Sequence, residues 1–372
     1  MKVLFVVNGD ARSSRPWSGV PNHLLVEMVS RGIGVVNVDM SRVWHLRWPR
    51  ILYNRIFRKV IRRWRNVPYE ATRLCIEQTN KWLRKVAKHH ADCDLALITS
   101  FCIDCTGVSL PCILVHDWTI GYARGFLHGI RLSPFEEEAE RNQLAALRTA
   151  SKVVTFYPRV LDYLKSNNLT NVHFICNPID TELGINALKR GHAASTSRHI
   201  LVVGGNFYRE NLEYVLEAAD SLEDSGIVVD VVGQAKARYR PKYVKVNFFG
   251  YLDKTNPQQH KMYYDVLTNA RCLVNVKKGW GGGSSIAEAL CAGVPVICGD
   301  YADIVALYGE VARFGCYCEP GNIRMLADKL KVLLALEETA YVEMCFYAHC
   351  LVKDDTYHRF VDRLLVLDGA VR

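Results

Sequence analysis

Runs of apolar residues alternate along the chain with segments of helical period, which is the pattern of an α/β protein. Short apolar runs of this kind predict buried parallel strands. The strands predicted in the first half are Lys2–Val7, Gly34–Val38, Asp94–Thr99, Cys112–Val115 and Lys152–Thr155. One helix is predicted from about Pro21 to Arg31. Another begins after Ser133, because Pro134 and Glu136 complete a capping box with it.

The same alternation begins again in the second half of the chain. The strands predicted there are His199–Val203, Ile227–Val232, Val244–Phe249, Cys272–Val276 and Val294–Ile297, with a helix from about Asn211 to Leu222. The small polar segment Lys189–Arg198 predicts a linker. We therefore expect two doubly wound, Rossmann-like α/β domains, with ligand bound at the carboxyl ends of the strands in a cleft between them.

Length and composition agree with two globular domains. The chain has 372 residues, of which 49% are hydrophobic and 23% charged, and these values exclude a disordered or coiled-coil protein. We find no run of 18 apolar residues and no secretory signal, and we therefore expect a cytoplasmic protein. The 13 cysteines are an odd number, which favours reduced, structural thiols over a disulfide framework.

The positive charge is concentrated in one segment. The chain contains 47 Lys and Arg against 38 Asp and Glu, a net charge of +9. Nine basic residues and no acidic residue lie between Arg42 and Arg65, so the rest of the chain is neutral by count. These nine are Arg42, Arg47, Arg50, Arg55, Arg58, Lys59, Arg62, Arg63 and Arg65.

The basic segment also has an aromatic period. Trp44, Trp48, Leu52, Ile56, Val60 and Trp64 recur at every fourth position. With a helix start at Pro49, the apolar side chains other than Ile51 share one face and Arg55, Arg58, Lys59, Arg62 and Arg65 lie opposite. This pattern predicts an interfacial helix attracted to an anionic membrane. The alternative is a helix whose apolar face packs on the N-terminal sheet. Nucleic-acid binding is not expected, since nothing else in the sequence suggests a groove-reading or base-stacking module.

The residues most informative about chemistry follow a predicted strand. Gly281–Gly283 form a glycine-rich turn, and Ser284 and Ser285 begin a helix. Backbone amides at a helix N-terminus favour phosphate. Glu288 lies about one turn into this helix, where its carboxylate can accept hydrogen bonds from a ribose or sugar hydroxyl.

The run from Glu288 to Ile297, Glu-Ala-Leu-Cys-Ala-Gly-Val-Pro-Val-Ile, resembles the retaining glycosyltransferases of family 4, which have the GT-B fold. Other segments resemble the family in the same order along the chain. Ser18–His23, with Gly19, is similar to its first glycine loop, and His116–Thr119 to the segment with its sugar-facing histidine. Asn177–Asp180 is similar to the entry of the interdomain linker, and Val203–Arg209 to the motif with the diphosphate-binding arginine.

The sequence departs from the family at three positions. Glu210 stands where the family has a lysine, and Asn211 where it has a glycine. The first glutamate of the family's Glu-x7-Glu signature is replaced by Trp280 or, in another alignment, by Lys278. We hypothesise that Lys277 or Lys278 supplies the cation that is missing at Glu210.

The resemblance implies a division of the chain and a reaction. An acceptor domain is expected over residues 1–185 and a donor domain over 199–350, with a C-terminal helix in 351–372 that packs on the first domain. The implied reaction transfers a sugar from a nucleotide-sugar donor to a glycan or lipid-linked acceptor, with retention and without a metal or other cofactor. The implied catalytic residues are Arg209, Lys278, Glu288 and His116. The implied donor-binding residues are Gly19, Gly205, Arg209, Lys277, Gly282, Gly283, Ser284, Ser285 and Glu288.

Other interpretations stay open. The same fold could carry a sugar-nucleotide 2-epimerase or a non-catalytic binding subunit. For individual residues, His116 could be a strand-end histidine with a local hydrogen bond, and Arg209 and Glu288 could be solvated helix residues. The acceptor or membrane residues expected under the transferase interpretation are Arg55, Arg58, Lys59, Arg62 and Trp64.

Overall fold

The twelve strands of the described chain form two six-stranded parallel sheets. The structure is a computed structural model that describes residues 1–57, 66–99, 102–184, 187–279 and 283–369. The chain divides into two units, the first made of Met1–Cys176 and Tyr357–Arg372 and the second of Asn177–Thr356. Each unit contains one of the two sheets.

The sheet of the first unit has the strand order β2-β1-β3-β4-β5-β6. Its strands are β1 Lys2–Val7, β2 Gly34–Asp39, β3 Leu95–Thr99, β4 Cys112–Val115, β5 Lys152–Thr155 and β6 Val172–Phe174. Its helices are α1 Val20–Ser30, α2 Trp44–Leu52, α3 Arg73–His89, α4 Pro134–Arg148, α5 Pro158–Ser166 and, near the C-terminus, α13 Tyr357–Asp368. Leu4, Phe5 and Val6 of β1 are fully buried, as expected for a central parallel strand.

The sheet of the second unit has the strand order β12-β11-β10-β7-β8-β9. Its strands are β7 His199–Val203, β8 Val228–Val232, β9 Lys245–Gly250, β10 Cys272–Asn275, β11 Val296–Gly299 and β12 Gly315–Cys318. Its helices are α6 Ala187–Ala193, α7 Arg209–Asp220, α8 Pro257–Asn269, α9 Ser284–Cys291, α10 Ala302–Tyr308, α11 Ile323–Leu334 and α12 Glu338–Val352. Both sheets are therefore doubly wound, and the predicted fold class is confirmed.

Every predicted strand is present within two residues of its expected bounds. The capping box is also present, because Ser133 N–H donates to Glu136 Oε2 at 2.8 Å and Glu136 N–H to Ser133 Oγ at 3.4 Å. The sequence did not predict β6 and β12, which lie at sheet edges and are only three and four residues long. Short edge strands carry little apolar pattern, so they resist prediction from periodicity.

The expected linker is wrong in part, since the segment contains helix α6 instead. Arg190 is 5% exposed, and its guanidinium donates to Thr268 O at 2.9 Å and to Gly293 O at 2.5 Å. These bonds fix the segment within the second unit. The chain accordingly enters that unit after Cys176, earlier than the expected end of the first domain at 185, and helix α13 belongs to the first unit.

The aromatic segment begins its helix earlier than expected. Helix α2 starts at Trp44 with Pro49 inside it, and a π-helical turn follows over Tyr53–Phe57. Pro49 is therefore not the helix start. A proline six residues into a helix removes one amide bond, and here the helical path continues past it into the wider turn.

The second unit also buries an arginine that the sequence analysis did not single out. Arg271 is fully buried and donates to Leu333 O at 3.1 Å, to Leu336 O at 2.8 Å and to Ser195 O. Its guanidinium carbon lies 3.7 Å from the centroid of the Tyr341 ring. Burial lowers the pKa of Arg271. Leu333 lies in the last turn of α11, while Leu336 and Ser195 lie just after α11 and α6, so one side chain joins the ends of two helical segments.

Substituting Arg271 by Met should destabilise the protein strongly. The change leaves the buried carbonyls of Leu333 and Leu336 without a donor, which we expect to reduce the free energy of unfolding by about 3 kcal/mol or more. Urea denaturation measures the loss. Arg324→Met, at an exposed position of α11, is the matched control. An equal loss in the two variants would contradict the assignment.

Candidate active site

The carboxyl ends of β7 and β8 lead into loops that touch through their backbones. Gly204 and Gly233 have φ values of +140° and +97°, in the region that favours glycine. A Cβ atom added to Gly233 would lie 2.7 Å from the carbonyl carbon of Gly204 and 3.1 Å from the nitrogen of Gly205. The loop that contains Gly205 is therefore held by a contact that no larger residue at 233 permits.

Arg209 stands at the end of this loop, at the first position of α7. Its Nη2 donates to Asn206 Oδ1 at 3.0 Å across a short 3-10 turn, Asn206–Tyr208. Phe207 in this turn is 64% exposed, and Lys277 Nζ lies 4.2 Å from the centroid of its ring. Burial lowers the pKa of Lys277, while the nearby carboxylate of Glu210 opposes the shift. Two cations from separate segments thus meet at one turn.

Lys278 points to a different neighbourhood. Its Nζ lies 6.0 Å from the centroid of the Tyr214 ring. Its aliphatic chain covers Gly321, where an added Cβ would approach Lys278 Cε to 2.5 Å. Of the two lysines considered as replacements for the missing cation, Lys277 is therefore the one that the structure places beside the Arg209 turn.

Helix α9 follows β10 and carries the predicted serines and Glu288. Ser284 Oγ accepts a hydrogen bond from Asn177 Nδ2 at 3.1 Å, and Asn177 is 9% exposed. Gly283 occupies the N-cap position of the helix. Ser285 lies in its first turn, while Gly282 and Trp280 are outside the described residues. Asn177 comes from the segment quoted for its family likeness, but the sequence analysis gave it no role in the site.

Glu288 is anchored by two residues that the sequence analysis missed. Lys254 Nζ forms an ion pair with Glu288 Oε1, and the two side chains are 18% and 16% exposed. Tyr263 OH donates to Glu288 Oε2 at 2.5 Å, and burial next to this carboxylate raises the pKa of Tyr263. Glu288 is therefore not a solvent-facing helix residue. Lys254 lies 34 positions away along the chain, so no local motif links it to Glu288.

His116 follows β4 in the first unit and is fully buried. Its Nε2 lies 3.7 Å from Cys102 Sγ, and burial raises the pKa of that thiol. This local contact fits the alternative of a strand-end histidine. A role for His116 at the donor sugar stays a prediction.

Asp117, next to His116, has an unusual proton affinity. Burial raises the pKa of its carboxyl from 3.8 to about 7. Its backbone carbonyl accepts a hydrogen bond from Thr155 Oγ1 at 3.3 Å, which ties the end of β4 to β5. The sequence analysis quoted Asp117 only as part of a motif, because a burial effect of this size depends on the surrounding fold.

The loop after β1 carries Gly19 in a constrained turn. Gly19 is the N-cap of α1 with φ of +91°, and Trp17 and Ser18 before it have φ values of +45° and +55°. Two consecutive non-glycine residues with positive φ are uncommon, and they occur most often at turns and functional sites. The Trp17 ring contacts the ring of Phe156, the residue after β5, at 6.1 Å between centroids. This contact holds the turn against the end of β5.

Only part of the predicted interfacial helix lies in the described chain. Arg55 is exposed, while Arg58, Lys59, Arg62 and Trp64 lie outside the described residues. On α2, Trp48 is 64% exposed and Leu52 is 55% exposed. Tyr53 is instead buried, and its hydroxyl donates to Val67 O at 3.1 Å. At Trp48 and Leu52, the alternative in which the apolar face packs on the sheet is therefore wrong.

Two further properties of the described chain bear on its partners. None of its helices combines the length and the apolar character needed to cross a membrane. One group of side chains could bind a metal ion, since donor atoms of Asp180, Glu182 and His260 lie within 4.8 Å of one another. The expectation that the reaction needs no metal stays a prediction.

Comparison with known proteins gives a family match within the second unit. Residues 185–343 match the sequence model of the family described as glycosyl transferases group 1. No curated protein sequence gives a significant match. Among solved structures, sucrose-phosphate synthase from Thermosynechococcus elongatus superposes with a TM-score of 0.68 at 14% identity, covering 100% of both chains. Anabaena HepE, solved with UDP and glucose, gives 0.62 at 12% identity, covering 98% of this chain and 99% of HepE.

TarM from S. aureus, solved with UDP among its ligands, gives a TM-score of 0.57 at 14% identity. The likeness covers 80% of this chain but only 58% of TarM. At these identities the superpositions show the fold alone, which is the GT-B fold of two Rossmann-like units. Residues 185–343 thus match the group 1 glycosyl transferases, and the chain has the fold of solved GT-B glycosyltransferases, which agrees with the class of protein that the sequence predicted.

The raised pKa of Asp117 makes stability depend on pH. Below about pH 4 the carboxyl is protonated in both the native and unfolded states, so it contributes no dependence. Between the ordinary value of 3.8 and about 7, only the unfolded chain loses the proton, and native stability falls as pH rises. Asp117→Asn should therefore gain stability relative to the wild type over this range and keep the gain above pH 7. Urea midpoints of both proteins at pH 4.5, 6 and 8 measure the effect. A difference in midpoint between the two proteins that does not change with pH would contradict it.

Proposed function

We propose that the protein transfers a sugar from a nucleotide-sugar donor to a glycan or lipid-linked acceptor, in the hexosyl- or other glycosyltransferase class (EC 2.4). The observation that carries the proposal is the contact of Lys277 with the turn that leads into Arg209, within the part that matches a glycosyltransferase family. HepE and TarM were solved with UDP, which makes a UDP-sugar the first donor to test.

The proposed donor site stabilises a leaving diphosphate by fixed positive groups. Negative charge grows on the phosphates as the bond to the sugar breaks, and prearranged donors and cations lower the energy of that state. Arg209 offers a planar guanidinium, Lys277 a nearby ammonium, and the N-terminus of α9 its backbone amides and dipole. The partial burial of Lys277 strengthens its attraction to an anion, because less water screens the charge. These groups let the transfer proceed without a metal.

Glu288 would accept hydrogen bonds from hydroxyl groups of the donor. Lys254 and Tyr263 hold both of its oxygens, so the carboxylate stays in one orientation. Orientation fixed before binding reduces the entropy lost when the ligand binds. The implied retention of configuration follows the family resemblance, with the acceptor attacking on the face from which the diphosphate leaves.

The first unit would bind the acceptor. Gly19 in its constrained turn and His116 at the end of β4 come from two loops at the carboxyl edge of the same sheet, where ligands of doubly wound folds bind. Exposed Trp48, Leu52 and Arg55 suit a surface that meets anionic lipid, with the protein peripheral at the cytoplasmic face of the membrane. A lipid-linked acceptor would be reached at that surface.

Removing the proposed phosphate contacts should slow transfer. Arg209→Ala is expected to lower kcat with a UDP-sugar by about a hundredfold, because one fixed donor to a developing charge contributes about that much. Lys277→Ala should act in the same direction, whereas Lys278→Ala should change kcat and donor KM little. Arg324→Ala and Lys331→Ala, at exposed positions of α11, are the controls. The measurement is release of nucleoside diphosphate.

Several outcomes would decide between functions. Full activity in Arg209→Ala would overturn the phosphate assignment, and unchanged kinetics in both lysine variants would refute the replacement of the missing cation. Interconversion of the sugar nucleotide without diphosphate release would favour the 2-epimerase. No turnover, with UDP still raising the thermal midpoint, would favour a binding subunit.

Neutralising the basic segment should weaken membrane binding while sparing the donor reaction. Replacing Arg55, Arg58, Lys59 and Arg62 by Gln is expected to reduce binding to phosphatidylglycerol vesicles at least tenfold, since each basic residue contributes about 1 kcal/mol near an anionic surface. The control variant removes the same number of positive charges by substituting Gln at four exposed residues of the second unit, Arg240, Lys245, Arg324 and Lys331. Vesicle sedimentation and donor hydrolysis are measured together. Loss of both activities in the first variant would refute the separation.

A further inference from the structure

A cavity of about 620 Å³ on the first unit is lined mainly by cations. Its lining residues are Lys81, Arg84, Lys85, Lys88, Gly107 and Ser109. The first four belong to helix α3, and the last two to the loop before β4. The described lining contains no carboxylate, so an anion entering the cavity would meet positive charge on the helix side and a polar loop on the other.

The four cations share one face of α3. Their positions follow the spacing i, i+3, i+4 and i+7, which places them in a row about 10 Å long. Like charges at i and i+4 destabilise a helix, and this row contains two such pairs, Lys81 with Lys85 and Arg84 with Lys88. A bound anion would relieve that repulsion.

No described residue neutralises this row. None of the four cations forms an ion pair within the described chain, although acidic residues lie nearby in sequence. Glu77 pairs with Arg73 at 2.7 Å, and Asp92 pairs with Lys2. These two carboxylates are therefore engaged elsewhere. Asp104, in the loop opposite the helix, accepts a hydrogen bond from the Thr106 N–H at 2.8 Å and forms no ion pair with the row in the described chain.

The loop opposite the helix is fixed in place. Asn80 Nδ2 donates to Asp104 O at 2.8 Å and to Thr106 O at 2.9 Å, which ties the loop to α3. Gly107 has φ of +69°, and an added Cβ would lie 3.2 Å from Arg84 Nε. The guanidinium thus lies directly against a position that favours glycine, so the geometry of the cavity depends on that residue.

The cavity is separate from the proposed catalytic residues of the first unit. The loop with Gly107 and Ser109 leads into the amino end of β4, and α3 leads into the amino end of β3. His116 and Asp117 follow the carboxyl end of β4. The cavity therefore lies at the amino ends of the strands, whereas His116 and Asp117 lie at the carboxyl ends. Its function is not part of the sugar transfer proposed above.

We propose that this cavity binds a phosphate-bearing ligand with at least two anionic groups, either the phosphates of a soluble molecule or glycan or the headgroup of an anionic lipid. Two or more groups are required because the cations extend over about 10 Å, more than one phosphate can contact. Among the described residues the lining contains no large apolar side chain, so binding rests on charge and not on insertion into a membrane.

The test uses tripolyphosphate as the probe and calorimetric titration at low salt. All proteins carry Arg209→Ala and Lys277→Ala, so that binding at the proposed donor site is weakened in every sample. We expect saturable binding, and Lys81→Gln with Lys85→Gln should raise Kd at least tenfold. The control, Arg324→Gln with Lys331→Gln, loses equal charge on an exposed face of α11 and should change Kd less than twofold.

A second variant addresses the shape of the cavity without changing its charge. Gly107→Ala should displace the Arg84 side chain and raise Kd, with circular dichroism confirming that the variant is folded. Absence of saturable tripolyphosphate and vesicle binding, or an equal loss in the control, would overturn the proposal. Binding to phosphatidylglycerol vesicles that the Lys81 and Lys85 substitutions abolish would assign the phosphate to a lipid headgroup. If the Lys81 and Lys85 substitutions abolish tripolyphosphate binding but leave vesicle binding unchanged, the phosphate belongs to a soluble ligand.

Discussion

The proposed donor half of this molecule, its second unit, depends on the backbone contact between the loops after β7 and β8. Gly233 meets Gly204 so closely that a single Cβ atom would force the loops apart. The turn that carries Arg209 begins directly after this contact, and Lys277 packs on the same turn from the end of β10. The turn that positions Arg209 and Lys277 therefore depends on glycine, with no side chain, at positions 204 and 233. A close approach of backbones is the usual reason for glycine at such positions.

A second group of contacts fixes the carboxylate of Glu288 in the same unit. Glu288 is held by Lys254 from the loop after β9 and by Tyr263 from α8. The ion pair is largely removed from water, and a buried carboxylate is tolerated only when its oxygens are satisfied in this way. The positive and negative sides of the proposed donor site thus lie on different elements. Neither side can be moved without disturbing the packing of the second sheet.

The strands and the signature around Glu288 could be predicted because periodicity and short motifs are local properties. Edge strands β6 and β12 could not, because three or four residues carry little apolar pattern. Helix α6 could not, since it depends on contacts far away in the chain. Arg190 illustrates the reason, because a polar segment became a buried helix through bonds to the carbonyls of Thr268 and Gly293. The same holds for Lys254 in the site. Its partner is set by the fold, and sequence spacing carries no signal for it.

Net charge gives an incomplete description of this protein. Counting shows that the nine basic residues from Arg42 to Arg65 equal the whole excess, which makes the remainder neutral. The structure shows that neutrality by count does not mean neutrality in space. Acidic residues of the first unit pair with other cations, as Asp92 does with Lys2, and the four cations of the row on α3 form no ion pair with any described residue. Since screening limits electrostatic attraction to about 10 Å, an anionic ligand responds to such local groups and not to the total of +9.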